Sequence, residues 1–146
     1  IYMDWEGVGE LWNKGFSIGS HTVNHRSLGA LRETELQDEL AGSYETIRSE
    51  LGADKIGLSY PYGTLRDFNS KVASRAKETG YSYALTAVNG LNGIHSDPFT
   101  LRRTTLTRGD GPRTFKMIMN GALDPWLLVD KYGYGIQRQY ETGLGR

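Results

Sequence analysis

Short apolar stretches and longer amphipathic ones alternate along this chain, and few architectures accept that order. The clearest element is a helix over 33–51, where Leu36, Leu40, Tyr44, Ile47 and Leu51 recur at three- and four-residue intervals. Glu35, Asp38, Glu39, Glu45 and Arg48 take the other faces, and Gly52 ends the run. Upstream, Asp4 is a suitable N-cap for a helix over 5–14, stopped by Gly15 and followed by a strand over 16–19. Downstream come a strand over 56–60, a helix over 68–79 with Val72 and Ala76 inward, and a strand over 81–88. A candidate strand over 101–106 and a helix over 114–123, with Phe115, Ile118 and Met119 inward, complete the pattern. Strand–helix alternation at this spacing predicts an α/β fold, either a parallel sheet or a barrel with its helices outside. Four strands are few for a closed barrel, which takes about eight. The sheet is therefore open, or strands are missing upstream of Ile1.

Lys plus Arg and Asp plus Glu balance at 17 each, so charge does not argue for nucleic acid or an anionic membrane as partner. No apolar run reaches the roughly 18–20 residues of a membrane span. The absence of cysteine excludes disulfides and thiolate metal sites. The chain opens on Ile1 without a signal-peptide pattern, and the expectation is that something upstream was removed or not included.

Two of the three histidines fall in Ser20-His21-Thr22-Val23-Asn24-His25, just past the end of the first predicted strand. That edge of a parallel sheet is where ligands collect. If the segment makes one helical turn, positions four apart share a face and both imidazoles reach one ion; zinc accepts such nitrogens at about 2.0–2.1 Å. The competing reading is that loop histidines bond backbone or water. Ser20 and Asn24 are candidates for orienting the two rings. Pro61-Tyr62-Gly63 breaks the second strand in a turn, and His95 lies in a polar loop over 89–98. Arg102 and Arg103 suit structural ion pairs, with only one of the two pointing inward. Trp126 suits either stacking on a sugar ring or anchoring a core.

Together, Phe16-Ser17-Ile18-Gly19-Ser20-His21-Thr22 with His25, and Tyr60-Pro61-Tyr62-Gly63 downstream, resemble the polysaccharide deacetylases of carbohydrate esterase family four, with NodB-like catalytic domains. The resemblance runs from about Trp5 to about Leu106. It implies a distorted (β/α) barrel, here incomplete at the N-terminus, with the domain over 1–130 and a tail over 131–146. It also implies metal-dependent hydrolysis of N-acetyl or O-acetyl groups on a polysaccharide outside the cytoplasm. By the same resemblance His21 and His25 are metal ligands, with zinc expected and cobalt or nickel as alternatives. Tyr62 likewise offers its backbone N–H to an oxyanion; Pro61 and Tyr62 of this turn, and separately the aromatic Trp126, are the candidate substrate-binding residues.

The chain departs from the family pattern in three places. The first motif, an Asp-Asp pair supplying a ligand and the base, is absent. Ser59 stands where the commonest third motif has an arginine that orients the base. No Leu-x-His segment follows Leu101, which leaves His95 as the remaining candidate acid. These departures predict a fragment with impaired catalysis, whose missing strand is replaced by another segment or a second copy of the chain. The alternative is a carbohydrate-binding relative without the chemistry.

Overall fold

Leucines and tyrosines spaced three and four apart fold where periodicity places them. A computed structural model describes residues 3–122. Helix α1 is Trp5–Asn13, and the Asp4 carboxylate accepts the Gly7 N–H at 2.9 Å, filling one of the donors a helix start leaves open. Helix α2 is Glu33–Leu51, closed by Gly52 in the left-handed region at φ 61°. Helix α3 is Ser70–Thr79, with the Asn69 side chain accepting the Val72 N–H and Gly80 as its stop.

The strands are β1 (Gly19–Ser20), β2 (Gly57–Ser59) and β3 (Tyr83–Leu85), all parallel in the order β1-β2-β3. Leu58 pairs with Ser20 on one side and Ala84 on the other. Each ladder is shorter than its apolar stretch, because hydrophobicity marks burial and not backbone pairing. The expected strand over 101–106 reduces to a parallel bridge between Leu101 and Leu85. Beside it, Arg103 N–H still reaches Val88 O at 3.0 Å.

The sheet has two unlike faces. Leu58 and Ala84 point into a core shared with Leu36 and Leu40 of α2 and Val72 and Ala76 of α3, all at most 1% exposed. On the opposite face Gly57 lies under the Tyr83 ring, and a cavity of about 450 Å³ opens there. Among the described residues no helix covers that face, so the molecule presents one helical layer on a parallel sheet.

Helix α4, Pro112–Met119, corrects one expectation. It has no buried side chain, and Phe115 and Met119 are exposed. Its apolar stripe was legible in the sequence, but a stripe does not say what it packs against. The expected tail over 131–146 lies outside the described residues.

Candidate functional site: a histidine pair at the sheet edge

The chain leaves β1 at Ser20 and does not make the helical turn that the four-residue spacing invites. Thr22 and His25 adopt left-handed backbone, at φ 67° and 54°, and the segment forms a tight loop. That loop nevertheless brings the two imidazoles together, with ring centroids 4.6 Å apart and planes at 74°. Each left-handed non-glycine residue costs about 1–2 kcal/mol, so something must hold the loop.

Glu39 of α2 holds it. Its carboxylate is 2% exposed and accepts the N–H groups of Val23 (3.0 Å) and Asn24 (2.8 Å) on one oxygen and the Asn24 side-chain amide (3.0 Å) on the other. Glu39 does not take an outward face of α2, as its charge suggests, but lies buried. The buried residues Leu36, Glu39, Leu40, Ser43, Tyr44 and Ile47 form one continuous stripe, and spacing alone placed Glu39 and Ser43 within it. Polarity masked the signal.

Ser43 and Tyr81 anchor the strand end in the same way. The hydroxyls of Ser20, Ser43 and Tyr81 lie within 2.8–2.9 Å of one another, and Ser20 Oγ also accepts the Thr22 N–H at 3.1 Å. Ser20 therefore holds the loop backbone, the Asn24 side chain donates to Glu39, and neither makes a hydrogen bond to the histidine rings.

The neighbouring strand fixes the first ring. His21 Nδ1 lies 2.7 Å from the carbonyl oxygen of Ser59. A carbonyl only accepts, so in the neutral ring Nδ1 carries the proton and the Nε2 lone pair is free. Outward presentation of one nitrogen while the other donates to a carbonyl is how proteins prepare a histidine for a metal. The donor set fits a divalent ion as half of a site. Among the described residues no third His, Asp, Glu or Cys joins the pair.

Tyr60-Pro61-Tyr62-Gly63 divides its labour. Tyr60 is fully buried, stacked on Phe68 with ring centroids 4.9 Å apart, and its hydroxyl donates to Phe99 O at 2.9 Å; burial, with Asp97 nearby, pushes that hydroxyl's pKa well up. Pro61 is buried and Tyr62 turns outward, 62% exposed, at φ 59°. The Gly63 N–H closes the turn on Pro61 O at 2.6 Å. The Tyr62 ring stands edge-on to His25 at 4.9 Å, and its N–H makes no hydrogen bond to a described residue. Thr22, His25 and Tyr62 are the three non-glycine residues with positive φ among those described, and all three belong to this site. Backbone strain gathered in this way is typical of functional sites.

Asp67 joins the two loops. Its side chain accepts the hydroxyl of Ser27, just past His25, at 2.6 Å and the N–H of Thr64, just past Gly63, at 3.0 Å. Its carbonyl accepts the Leu28 N–H at 3.1 Å. No sequence signal pointed to this residue.

The remaining candidates stand differently toward the pair. His95 is exposed on its loop, with no hydrogen bond or ring contact to His21, His25 or Tyr62. Trp126 lies outside the described residues. Arg102 and Arg103 form no ion pair with a described carboxylate, contrary to expectation; Arg103 Nε donates to Thr86 O at 3.2 Å, and the residue lines the same cavity as His21.

The loop clamp has a pH dependence. Burial raises the Glu39 pKa, but the hydrogen bonds from Asn24 and Val23 outweigh it, so the carboxyl sits below its ordinary value when folded. The unfolded chain then binds the extra proton first, and this stabilisation is complete above about pH 4.3 and lost as pH falls through the folded value. Unfolding midpoints measured from pH 7 down to 3 should be lowered at the acid end by a component that Glu39→Gln removes. An unchanged acid limb in that variant contradicts the assignment.

Comparison with known proteins follows the same residues. A family model described as polysaccharide deacetylase matches residues 1–84. YxkH of Bacillus subtilis (strain 168), whose name assigns it to the polysaccharide deacetylases, is 28% identical over 104 residues, covering 71% of this chain and 36% of that protein. Among solved structures, the Streptococcus pyogenes deacetylase PplD in complex with acetate superposes with a TM-score of 0.72 at 21% identity, over 80% of this chain and 50% of that one. A de-N-acetylase from Aggregatibacter actinomycetemcomitans gives 0.65 at 21% identity, over 80% and 53%. The BpsB deacetylase domain from Bordetella bronchiseptica gives 0.60 at 21% identity, over 70% and 48%. The structural likenesses bear on the fold, and the chain spans about half the length of those structures and 36% of YxkH. With the family model matching more than half of its residues, the chain belongs to the polysaccharide deacetylase family.

Proposed function

We propose that this chain carries the histidine half of the metal centre and the oxyanion loop of a deacetylase acting on N-acetyl, or O-acetyl, groups of an extracytoplasmic polysaccharide. The observation that carries the reading is the His21 ring held by Ser59 O with its centroid 4.6 Å from that of the His25 ring. His21 and His25 would hold the ion, zinc being the first choice for two neutral imidazoles and no thiolate. When bound, such an ion supplies Lewis acidity toward the acetyl carbonyl and toward water.

The chain's own residues supply the rest of the local chemistry. The unpaired Tyr62 N–H is the donor we assign to the oxyanion that develops on that carbonyl. The exposed Tyr62 ring, next in sequence to the buried Pro61, offers a face for a sugar. His95 is assigned no step, having no geometric support. The base and a third ligand are assigned to residues outside 3–122, completing a distorted barrel around the open sheet face, whether from the same protein or from a second copy. One observation favours the rival reading of a binding relative without chemistry: the pair has no third ligand among the described residues.

Calorimetric titration with zinc tests the proposal on this chain and on its His21→Ala, His25→Ala double variant. Two ligands predict binding weaker than about 1 µM, or about −8 kcal/mol, that the double variant abolishes. Tighter binding would put a third ligand within the sequence. No binding by the unaltered chain, or binding that survives in the double variant, contradicts a metal role for the pair.

A further inference from the structure

We propose that helices α1 and α4 are the two halves of one self-association surface, α4 of one copy of this chain docking on α1 of another. Neither helix has a buried side chain, whereas α2 and α3 each bury several. Trp12 of α1 leans on the core, yet Trp5, two turns earlier on the same face, stays 43% exposed. On α4, Phe115 and Met119 stand one turn apart and are 48% and 56% exposed.

Charge identifies what covers these faces. Glu6 and Glu10 stand one turn apart on α1, beside the edge formed by Trp5 and Gly9, and a Cβ added at Gly9 would meet nothing, which leaves room for a close neighbour. On α4, Arg113 and Lys116 flank the Phe115–Met119 edge, and Arg108 lies in the turn before it. Asp110, the one acid over 101–122, is already engaged by the N–H and hydroxyl of Thr107 at 2.7 and 2.9 Å. Among the described residues Arg108, Arg113, Lys116 and Glu6 form no ion pair, and Glu10 meets only Lys14, at 3.5 Å. Each helix thus shows an apolar edge beside a charged one, and the two charges are opposite. A second copy satisfies both helices at once, since a two-fold axis sets α4 on α1 twice. An anionic lipid surface fits α4 alone and leaves Trp5 and the acids of α1 uncovered. Each contact is about two turns long, so the association is small and reversible, and opposite charges make it sensitive to salt. The inference rests on the two helices, and neither on the deacetylase reading nor on the open sheet face.

Sedimentation velocity of the full chain tests this with charge reversals, in metal-free buffer so that the histidine pair cannot bridge copies. The unaltered chain is expected to dimerise reversibly as its concentration rises through about 10–500 µM, with association weakened at least tenfold when salt is raised from about 0.05 to about 0.5 M. Arg113→Glu with Lys116→Glu, and separately Glu6→Lys with Glu10→Lys, should each be monomeric over that range. An equimolar mixture of the two variants should recover dimers, because an acidic α1 then meets a basic α4 in one contact and the reversed pair meets in the other. All four side chains are exposed, so circular dichroism should be unchanged. Where Glu6→Lys with Glu10→Lys does not fold, Glu6→Gln with Glu10→Gln replaces it, with at least a threefold loss of association expected. A chain that stays monomeric, association that either reversal leaves unchanged, or a mixture that recovers no dimer overturns the proposal. A monomeric chain that floats with phosphatidylglycerol vesicles, and ceases to do so in the Arg113→Glu, Lys116→Glu variant, overturns it in favour of a lipid surface.

Discussion

Glu39→Ala is expected to lower the stability of this chain by about 2–3 kcal/mol and to weaken zinc binding at least tenfold. The first effect follows from three hydrogen bonds lost to one buried carboxylate; bonds to a charged group are worth about 1.5–3 kcal/mol singly, and part-exposed donors recover some of that from water. The second follows from strain. Thr22 and His25 stay left-handed because Glu39 gathers the N–H groups between them, and without it the loop relaxes and the rings separate. Glu39→Gln is the informative companion. Its carbonyl can still accept from Val23 and Asn24, and the Asn24 amide can turn to meet the new NH2 group, so about 1 kcal/mol is lost and most zinc affinity kept. Denaturant midpoints and zinc calorimetry on the three proteins decide the matter. Unchanged zinc affinity in Glu39→Ala would mean that the loop is not held from α2.

Gly63→Ala carries a comparable cost from a different cause. Gly63 has φ 65°, which alone disfavours alanine by about 1–2 kcal/mol. An added Cβ would also stand 2.6 Å from the Ala87 N and 3.1 Å from the Thr86 carbonyl carbon, both main-chain atoms of the segment following β3. Backbone cannot swing aside as a side-chain end can. Relief requires the turn to open, which breaks the bonds from Gly63 N–H to Pro61 O and from Ala87 N–H to Gly63 O. The expected loss is about 3 kcal/mol or more, together with displacement of Tyr62 from His25. Denaturant unfolding measures the first effect and ring-current shifts of His25 the second. A loss under about 1 kcal/mol would show the turn to be far softer than its contacts imply.

Much of this architecture was legible because it rests on spacing. The helix over 33–51 is placed to the residue and the order of the helices and first three strands is correct, since burial of an apolar stripe or stretch leaves a period in the sequence, whereas the fourth expected strand, over 101–106, is only a bridge. The residues of the site were legible by type, the imidazoles and the Pro-Tyr-Gly turn being few and clustered. How the site is held together was not. The histidines meet through a strained loop and not a helical turn, and the loop depends on Glu39, read as exposed for its charge although its position lies within the buried stripe. Asp67 ties two loops forty residues apart by hydrogen bonds that follow no period. The stripe of α4 shows the opposite failure, a correct local pattern without a described surface to receive it.

The central claim is that His21 is held with Nδ1 protonated and Nε2 open to a metal. Long-range nitrogen–proton correlation NMR of the imidazoles at neutral pH, before and after zinc, tests it most directly. The structure predicts the Nδ1–H form for His21 in the metal-free chain and a zinc-induced shift that within that ring is largest at Nε2. An Nε2–H form, or a zinc titration that leaves that nitrogen unmoved, would contradict the account.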